Sequence, residues 1–176
     1  GLVLFARGER DAAWSLLRDS CSANAPADYF LNVANLLRQE QRYAEALALL
    51  HTGLRLQPGQ PELSLQAGEL LFADNQPAAA ATLAASARLA ACPAPITHNL
   101  AALLYRCGND AAALAAIEQA LHHCATPAGL NLKAALLRRG GDYSGALVLV
   151  EQALALRPGD PESLRNRAAL LRDLQQ

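Results

Sequence analysis

The chain has 176 residues, enough for one domain with a sizeable core, and 52% of them are hydrophobic although only 5% are aromatic. Ala and Leu are strong helix formers and supply most of the apolar residues, so the composition predicts an all-α protein. The net charge of −1 selects neither nucleic acid nor a membrane surface, and no apolar run reaches the roughly 20 residues of a membrane-spanning helix.

Along the chain, the pattern predicts repeated pairs of helices. Residues 1–26 are interpreted as a partial unit in which Gly1 lies midway through a first helix, and residues 161–176 as a single polar helix that caps the C-terminal end. Between them lie four full units, at residues 27–60, 61–93, 94–126 and 127–160. Each full unit is predicted to be a helix, a turn and a second helix.

The unit at 127–160 shows the plan most clearly. A first helix is predicted at about 128–139, and Gly140–Asp142 form the turn, with glycine suited to end one helix and Asp142 to cap the next. A second helix at about 143–156 ends at the Pro/Gly-rich run 157–161. The Ala-rich stretch 77–91 likewise predicts a closely packed helix that begins at a first-turn proline.

Small residues recur with a period of 33 or 34 residues. One series falls in the second helices and comprises Ala13, Ala46, Ala80, Ala113 and Ala146. A second series falls in the first helices and comprises Ala34, Gly68, Ala101, Ala134 and Ala168. We expect these residues to lie where helices cross, because a missing side chain lets two backbones approach closely.

This pattern resembles the tetratricopeptide-repeat family, whose unit has about 34 residues and small residues at fixed places. The segments RYAEALALLHTGLRLQPGQPE (42–62) and DYSGALVLVEQALALRPGDPE (142–162) are similar to the second helix of that family. The usual aromatic of the first helix survives only as Phe30, and Cys92 and Ala125 stand where two terminal prolines are expected. The resemblance implies an α-solenoid with a right-handed superhelix, in which first helices line a concave groove that holds a polypeptide.

The residues expected to line this groove form rows along successive first helices, three residues apart on one helix face. Amides spaced one per unit can hydrogen-bond a peptide backbone, as in the asparagine ladder of O-GlcNAc transferases, which this row resembles. Arginines and aromatics at the ends of the first helices suit an acidic peptide. The candidate groove residues are Asn32, Asn35, Arg38, Gln66, Glu69, Phe72, Asn99, Tyr105, Arg106, Arg138 and Asn166.

No motif for nucleotide binding, hydrolysis or zinc-dependent proteolysis occurs in the chain. The run His122-His123-Cys124 is interpreted as the end of a helix, since adjacent helical residues point about 100° apart and do not converge on one ion. Cys92 and Cys124 end neighbouring second helices at equivalent heights, roughly 10 Å apart and beyond disulfide reach, so free thiols are expected. We therefore expect no catalytic residue, metal or cofactor in this segment.

The expected function is a non-catalytic scaffold or adaptor that binds a protein or peptide, with acidic character expected from the arginines of the groove. The alternative is a substrate-recruiting arm of a larger enzyme, such as a glycosyltransferase or sulfotransferase. Nucleic-acid binding and membrane insertion are not expected, and RNA-binding repeats are disfavoured because no base-reading pair recurs. Composition suggests a bacterial source, and of the possible locations the cytoplasm is favoured.

Apolar residues at the start of the chain suggest a neighbour. Leu2, Leu4 and Phe5 occupy places that a preceding unit covers in a solenoid, so the chain is expected to be part of a longer protein. For the same reason, end-to-end self-association is expected.

Overall fold

The computed structural model describes residues 25–90 and 92–175, and this part of the chain consists of α-helices without a strand. The helices are α1 (Ala27–Gln39), α2 (Tyr43–Leu56), α3 (Pro61–Ala73), α4 (Pro77–Ala85), α5 (Ala94–Arg106), α6 (Asp110–His123), α7 (Pro127–Arg139), α8 (Tyr143–Leu156) and α9 (Pro161–Asp173). They follow the predicted plan, so the all-α solenoid is confirmed. The partial unit 1–26, including Leu2, Leu4 and Phe5, lies almost entirely outside the described residues.

The helix ends are set by local chemistry that the sequence reveals. Asp142 caps α8 by accepting a hydrogen bond from the backbone N–H of Gly145 at 2.8 Å, and Asp160 caps α9 through the N–H of Ser163 at 2.9 Å. Gly141 has a φ of +87°, a left-handed conformation that glycine adopts without strain. The predicted cap at Asp142 is therefore confirmed.

The small-residue series lies at the centre of the core. Ala46, Ala80, Ala113 and Ala146 are all 0% exposed. Gly53 of α2 faces Phe30 so closely that a Cβ atom would lie 2.9 Å from the Cγ atom of the ring. The burial of these four alanines agrees with the predicted crossings, and the close approach at Gly53 depends on a residue without a side chain. Ala168 of α9 is exposed and departs from the prediction, and Ala13 lies outside the described residues.

The Ala-rich stretch 77–91 departs from its prediction as one helix, because α4 ends at Ala85. Ser86 donates its hydroxyl to the carbonyl of Leu83 at 2.6 Å, and the backbone N–H of Arg88 bonds the carbonyl of Gly59 at 2.7 Å. The backbone N–H of Arg88 thus donates to a neighbouring loop and not to a carbonyl of the preceding helical turn. High helix propensity alone does not extend a helix against such a tertiary contact.

The described helices form a curved array of two layers, one of first helices and one of second helices. Each first helix (α1, α3, α5, α7, α9) packs against the next first helix, whereas no comparable contact joins successive second helices in the described part of the chain. Because elements on the inner side of a curved array lie closer together, the first helices form its concave face. The predicted groove residues belong to these first helices.

A buried polar network attaches the last helix. The side-chain amide of Asn131, which is 1% exposed, donates to the hydroxyl of Ser163 at 2.8 Å and to Asp160 at 3.3 Å. Ser163 also donates its hydroxyl to Asp160 at 2.6 Å. These hydrogen bonds, that from the Ser163 hydroxyl above all, lower the pKa of the Asp160 carboxyl. The network therefore favours the ionised form of Asp160.

Candidate peptide-binding groove

Three successive first helices contribute to one cleft at the C-terminal half of the concave face. Tyr105 of α5, Arg138 of α7 and Asn166 of α9 line a cavity of about 320 Å³. Ala134 and Ala135 also line it, and small side chains leave space for a ligand. The structure thus brings together three of the predicted groove residues, one from each helix.

Arg138 is held by Asp173, an acidic residue outside the predicted set of groove residues. Its Nε atom donates to Oδ2 of Asp173 at 2.5 Å, and both side chains are partly exposed. This hydrogen bond raises the pKa of Arg138, so the guanidinium is charged under all ordinary conditions. A ligand carboxylate that reaches Arg138 therefore meets Asp173 as a competitor.

Arg139 orients the aromatic wall of the same cleft. Its guanidinium lies 3.7 Å from the centroid of the Tyr105 ring, and it donates to the carbonyl oxygen of Tyr105 at 3.1 Å. It also pairs with Asp110 at the start of α6. Arg139 thus fixes Tyr105 between two units, and Tyr143 of α8 completes the cleft. The clustering of arginines at the ends of the first helices was the only sequence signal for this contact.

The middle of the groove holds a second arginine–aromatic contact. The guanidinium of Arg106 on α5 lies 4.2 Å from the centroid of the Phe72 ring on α3. This cation–π contact connects the two helices. Both residues were predicted, and Arg106 remains exposed. No ion pair involves Arg106 among the described residues, so its charge is available to a ligand.

A wider cleft of about 600 Å³ lies in the N-terminal half, between α1, α2 and α3. It contains the predicted residues Arg38 and Glu69, together with Tyr43 and Asp74. One basic and two acidic side chains give this cleft a negative balance, the opposite of the C-terminal cleft, where Arg138 and Arg139 face Asp173.

The predicted amides are less closely grouped. Asn32 and Asn99 are exposed on the first helices, and Asn35 is half-buried. The side-chain oxygen of Gln66 is buried without a hydrogen-bond partner within the described part. Of the amides, only Asn166 lines one of the two clefts. The proposed amide row therefore stays a prediction.

Other candidate chemistry can be placed as well. Cys92, Cys107 and Cys124 are free thiols, as expected. The rings of His122 and His123 are 6.0 Å apart at the exposed end of α6, and no group of three His, Cys, Asp or Glu side chains in residues 25–90 and 92–175 could hold a metal ion. Within the same residues, no helix is long and apolar enough to cross a membrane.

Comparisons with known proteins agree with this architecture. Residues 30–62 match the family model described as Tetratricopeptide repeat. Similar solved structures include MamA, at 14% identity and a TM-score of 0.70 over 83% of this chain and 81% of that one. YrrB, described as a TPR protein with an unusual peptide-binding site, is 17% identical with a TM-score of 0.67 over 90% of this chain and 80% of its own.

A third similar structure is PilF of Pseudomonas aeruginosa, at 17% identity and a TM-score of 0.64 over 84% of this chain and 68% of that one. The comparison with curated proteins gave no match. At these identities the structural likeness concerns the fold. Residues 30–62 are thus a tetratricopeptide repeat, and the described part of the chain has the α-solenoid fold of tetratricopeptide-repeat proteins.

Proposed function

We propose that this segment is a non-catalytic interaction module that holds an extended polypeptide segment along its concave face. The observation that carries the proposal is the cleft to which Tyr105, Arg138 and Asn166 contribute from three successive first helices. Because these helices belong to successive units, an extended polypeptide laid along the concave face would pass all three residues.

The side chains of the cleft suit a peptide. The amide of Asn166 both donates and accepts, so it can satisfy a peptide group in either orientation. The phenol of Tyr105 and its ring offer an apolar surface with a polar end. The guanidinium of Arg138 can bind a carboxylate through two parallel hydrogen bonds once its hydrogen bond to Asp173 is broken.

The two clefts favour opposite charges, which gives the proposed ligand a direction. The C-terminal cleft has two arginines and one aspartate, whereas the N-terminal cleft has Arg38 with Glu69 and Asp74. We therefore expect acidic ligand residues beside α7 and α9, and basic or apolar ones beside α1 and α3. This assigns acidic preference to one half of the groove.

Fluorescence anisotropy with two labelled peptides tests the proposal. One peptide alternates Ala with Glu, and the other alternates Ala with Gln. The Glu peptide should bind more tightly, and Arg138→Ala should weaken it by roughly fivefold, the value of about 1 kcal/mol for a partly exposed charge pair. Salt should reduce the same preference, because exposed charges are screened.

Arg55→Ala is the matched control. It removes the same charge from an exposed place on α2, a second helix, and should leave binding of both peptides unchanged. Equal binding of the Glu peptide by Arg138→Ala and by the unaltered chain would show that the C-terminal cleft is not the binding site.

A further inference from the structure

The two clefts of the concave face share one set of repeat positions. The same three residue types occupy these positions in both: Arg38, Tyr43 and Leu70 in the N-terminal cleft, and Arg138, Tyr143 and Leu170 in the C-terminal cleft. Each residue lies 100 residues from its counterpart, a distance of three units. In the two units between them, Phe72 or Tyr105 stands at the position of the arginine. The two clefts are thus copies of one arrangement, whose arginine the intervening units lack.

One position differs between the two clefts. In the C-terminal cleft, Asp173 lies against Arg138 and accepts a hydrogen bond from its Nε atom. The residue 100 positions earlier is Ala73, which lines the N-terminal cleft and has no side-chain atom beyond Cβ. The space beside Arg38 that a carboxylate would fill is therefore left open. The volumes agree with this, because the N-terminal cleft measures about 600 Å³ and the C-terminal cleft about 320 Å³.

The open space is bordered mainly by apolar side chains. Leu70 is buried and Leu47 is half-buried. Ala44 and Ala73 add no polar side-chain atom. Tyr43 stands beside them with 53% of its surface exposed. A bulky apolar side chain placed here would remove the Tyr43 ring and Leu47 from contact with water, which favours binding in proportion to the apolar area covered.

The charges at this cleft favour a basic neighbour for that side chain. Glu69 and Asp74 bring two carboxylates against the single guanidinium of Arg38. Asp74 accepts a hydrogen bond from the side-chain amide of Gln76 at 2.6 Å. Glu69 is exposed, and within residues 25–90 and 92–175 it forms no ion pair. Its carboxylate is therefore available to a cationic group of a ligand.

We propose that the N-terminal cleft is a pocket for one bulky apolar side chain of the bound polypeptide, such as Phe, next to a Lys or Arg that pairs with Glu69. Ala73 is the residue that keeps this pocket open. The inference rests on the proposed function and names the residue class that the N-terminal half of the groove selects. The ligand then has an apolar–basic pair at one end and acidic residues toward the other.

Four peptides test the pocket by fluorescence anisotropy. They have the sequence of the alternating Ala/Gln peptide except at two adjacent central positions, which are Ala-Gln, Phe-Gln, Ala-Lys or Phe-Lys. Phe in place of Ala should raise the affinity by about tenfold, because much of its ring leaves water in the cleft. Lys in place of Gln should raise the affinity by about two- to fivefold through the exposed carboxylate of Glu69, and salt should reduce this second gain only.

Three variants locate the binding of these peptides. Ala73→Asp gives the N-terminal cleft the residue that the C-terminal cleft has at the equivalent position, and it should abolish the gain from Phe. This gain is measured between the Ala-Gln and Phe-Gln peptides, so that the added carboxylate has no Lys to attract. Tyr43→Ala removes the aromatic wall and should abolish most of the same gain. Glu69→Gln should abolish the gain from Lys and keep the gain from Phe.

Tyr143→Ala is the matched control, because it makes the same change at the equivalent position of the C-terminal cleft. It should leave the gains from Phe and Lys unchanged. Far-ultraviolet circular dichroism checks that each variant keeps the helical content of the unaltered chain.

A Phe that gives no gain, or a gain that is undiminished in either Ala73→Asp or Tyr43→Ala, would overturn the pocket. Neither result affects the proposed function. That function fails instead when Arg138→Ala binds the Glu peptide as tightly as the unaltered chain does.

Discussion

Adding one methyl group at Gly53 tests whether the repeat register sets the packing. The Cβ atom of Gly53→Ala would lie 2.9 Å from Cγ of Phe30 and 3.1 Å from Cδ1 of Leu63. Both neighbours are 0% exposed, so neither can move outward into solvent. Overpacking of this kind costs about 1–3 kcal/mol, and the better helix propensity of Ala returns about 1 kcal/mol.

The expected result is a net loss of about 1 kcal/mol in the free energy of unfolding, or about 2–4 °C in Tm for a chain of this size. Urea denaturation followed by circular dichroism measures it. Gly140→Ala is the matched control, because no atom lies within 3.4 Å of its added Cβ and its φ is −78°. It should be neutral or stabilise the chain by up to about 1 kcal/mol.

A second substitution tests whether the cost arises from the contact between Gly53 and Phe30. Phe30→Leu removes the ring that the new methyl group meets, so Gly53→Ala should cost less in that background than alone. The difference is a coupling free energy of about 0.5–1 kcal/mol between residues in contact. If Gly53→Ala stabilises the chain as much as Gly140→Ala does, close packing at Gly53 is not what its small side chain provides.

Three further results are expected. Ala113→Leu should lower Tm, since Ala113 is 0% exposed and extra volume there costs about 1–3 kcal/mol; an unchanged Tm would contradict the assigned register. The pKa of Asp160 is lower in the folded chain than in the unfolded chain, so the ionised carboxylate stabilises the fold at pH values above its pKa in the unfolded chain. This stabilisation is lost as the pH falls through the pKa of Asp160 in the folded chain. Asp160→Asn should therefore show a smaller loss of stability in urea titrations at acidic pH than the unaltered chain, and an identical loss would refute this. Asn166→Ala should weaken the Glu and Gln peptides alike in the anisotropy assay, and a selective effect on one peptide would count against a backbone contact.

Local sequence signals predicted most of the fold. The 33- or 34-residue spacing located Ala46 and Ala113 at helix crossings, and Asp142 was recognised as a helix cap. These features depend on residues close in sequence or on a strict period. A single chain is sufficient to reveal them.

Contacts between distant residues were harder to predict. Asp173 lies 35 residues from Arg138. The repeat period predicts which residues occupy equivalent positions, but it does not predict that two flexible side chains will form an ion pair. The end of α4 depends on the bond between Arg88 and Gly59, 29 residues apart. Likewise, the periodicity placed Arg138 and Arg139 together at a helix end, but it did not show which of them stacks on Tyr105.

The early end of α4 has a mechanical consequence. A solenoid transmits a bending load through contacts between adjacent units, and the unit at 61–93 has a nine-residue second helix where three other units have fourteen. The outer layer is therefore thinnest there, where non-helical residues 86–90 stand in place of the last helical turns. The shorter second helix leaves less of the outer layer to resist bending at this place. The two oppositely charged clefts lie on either side of it, so bending here would change their separation and leave each cleft intact.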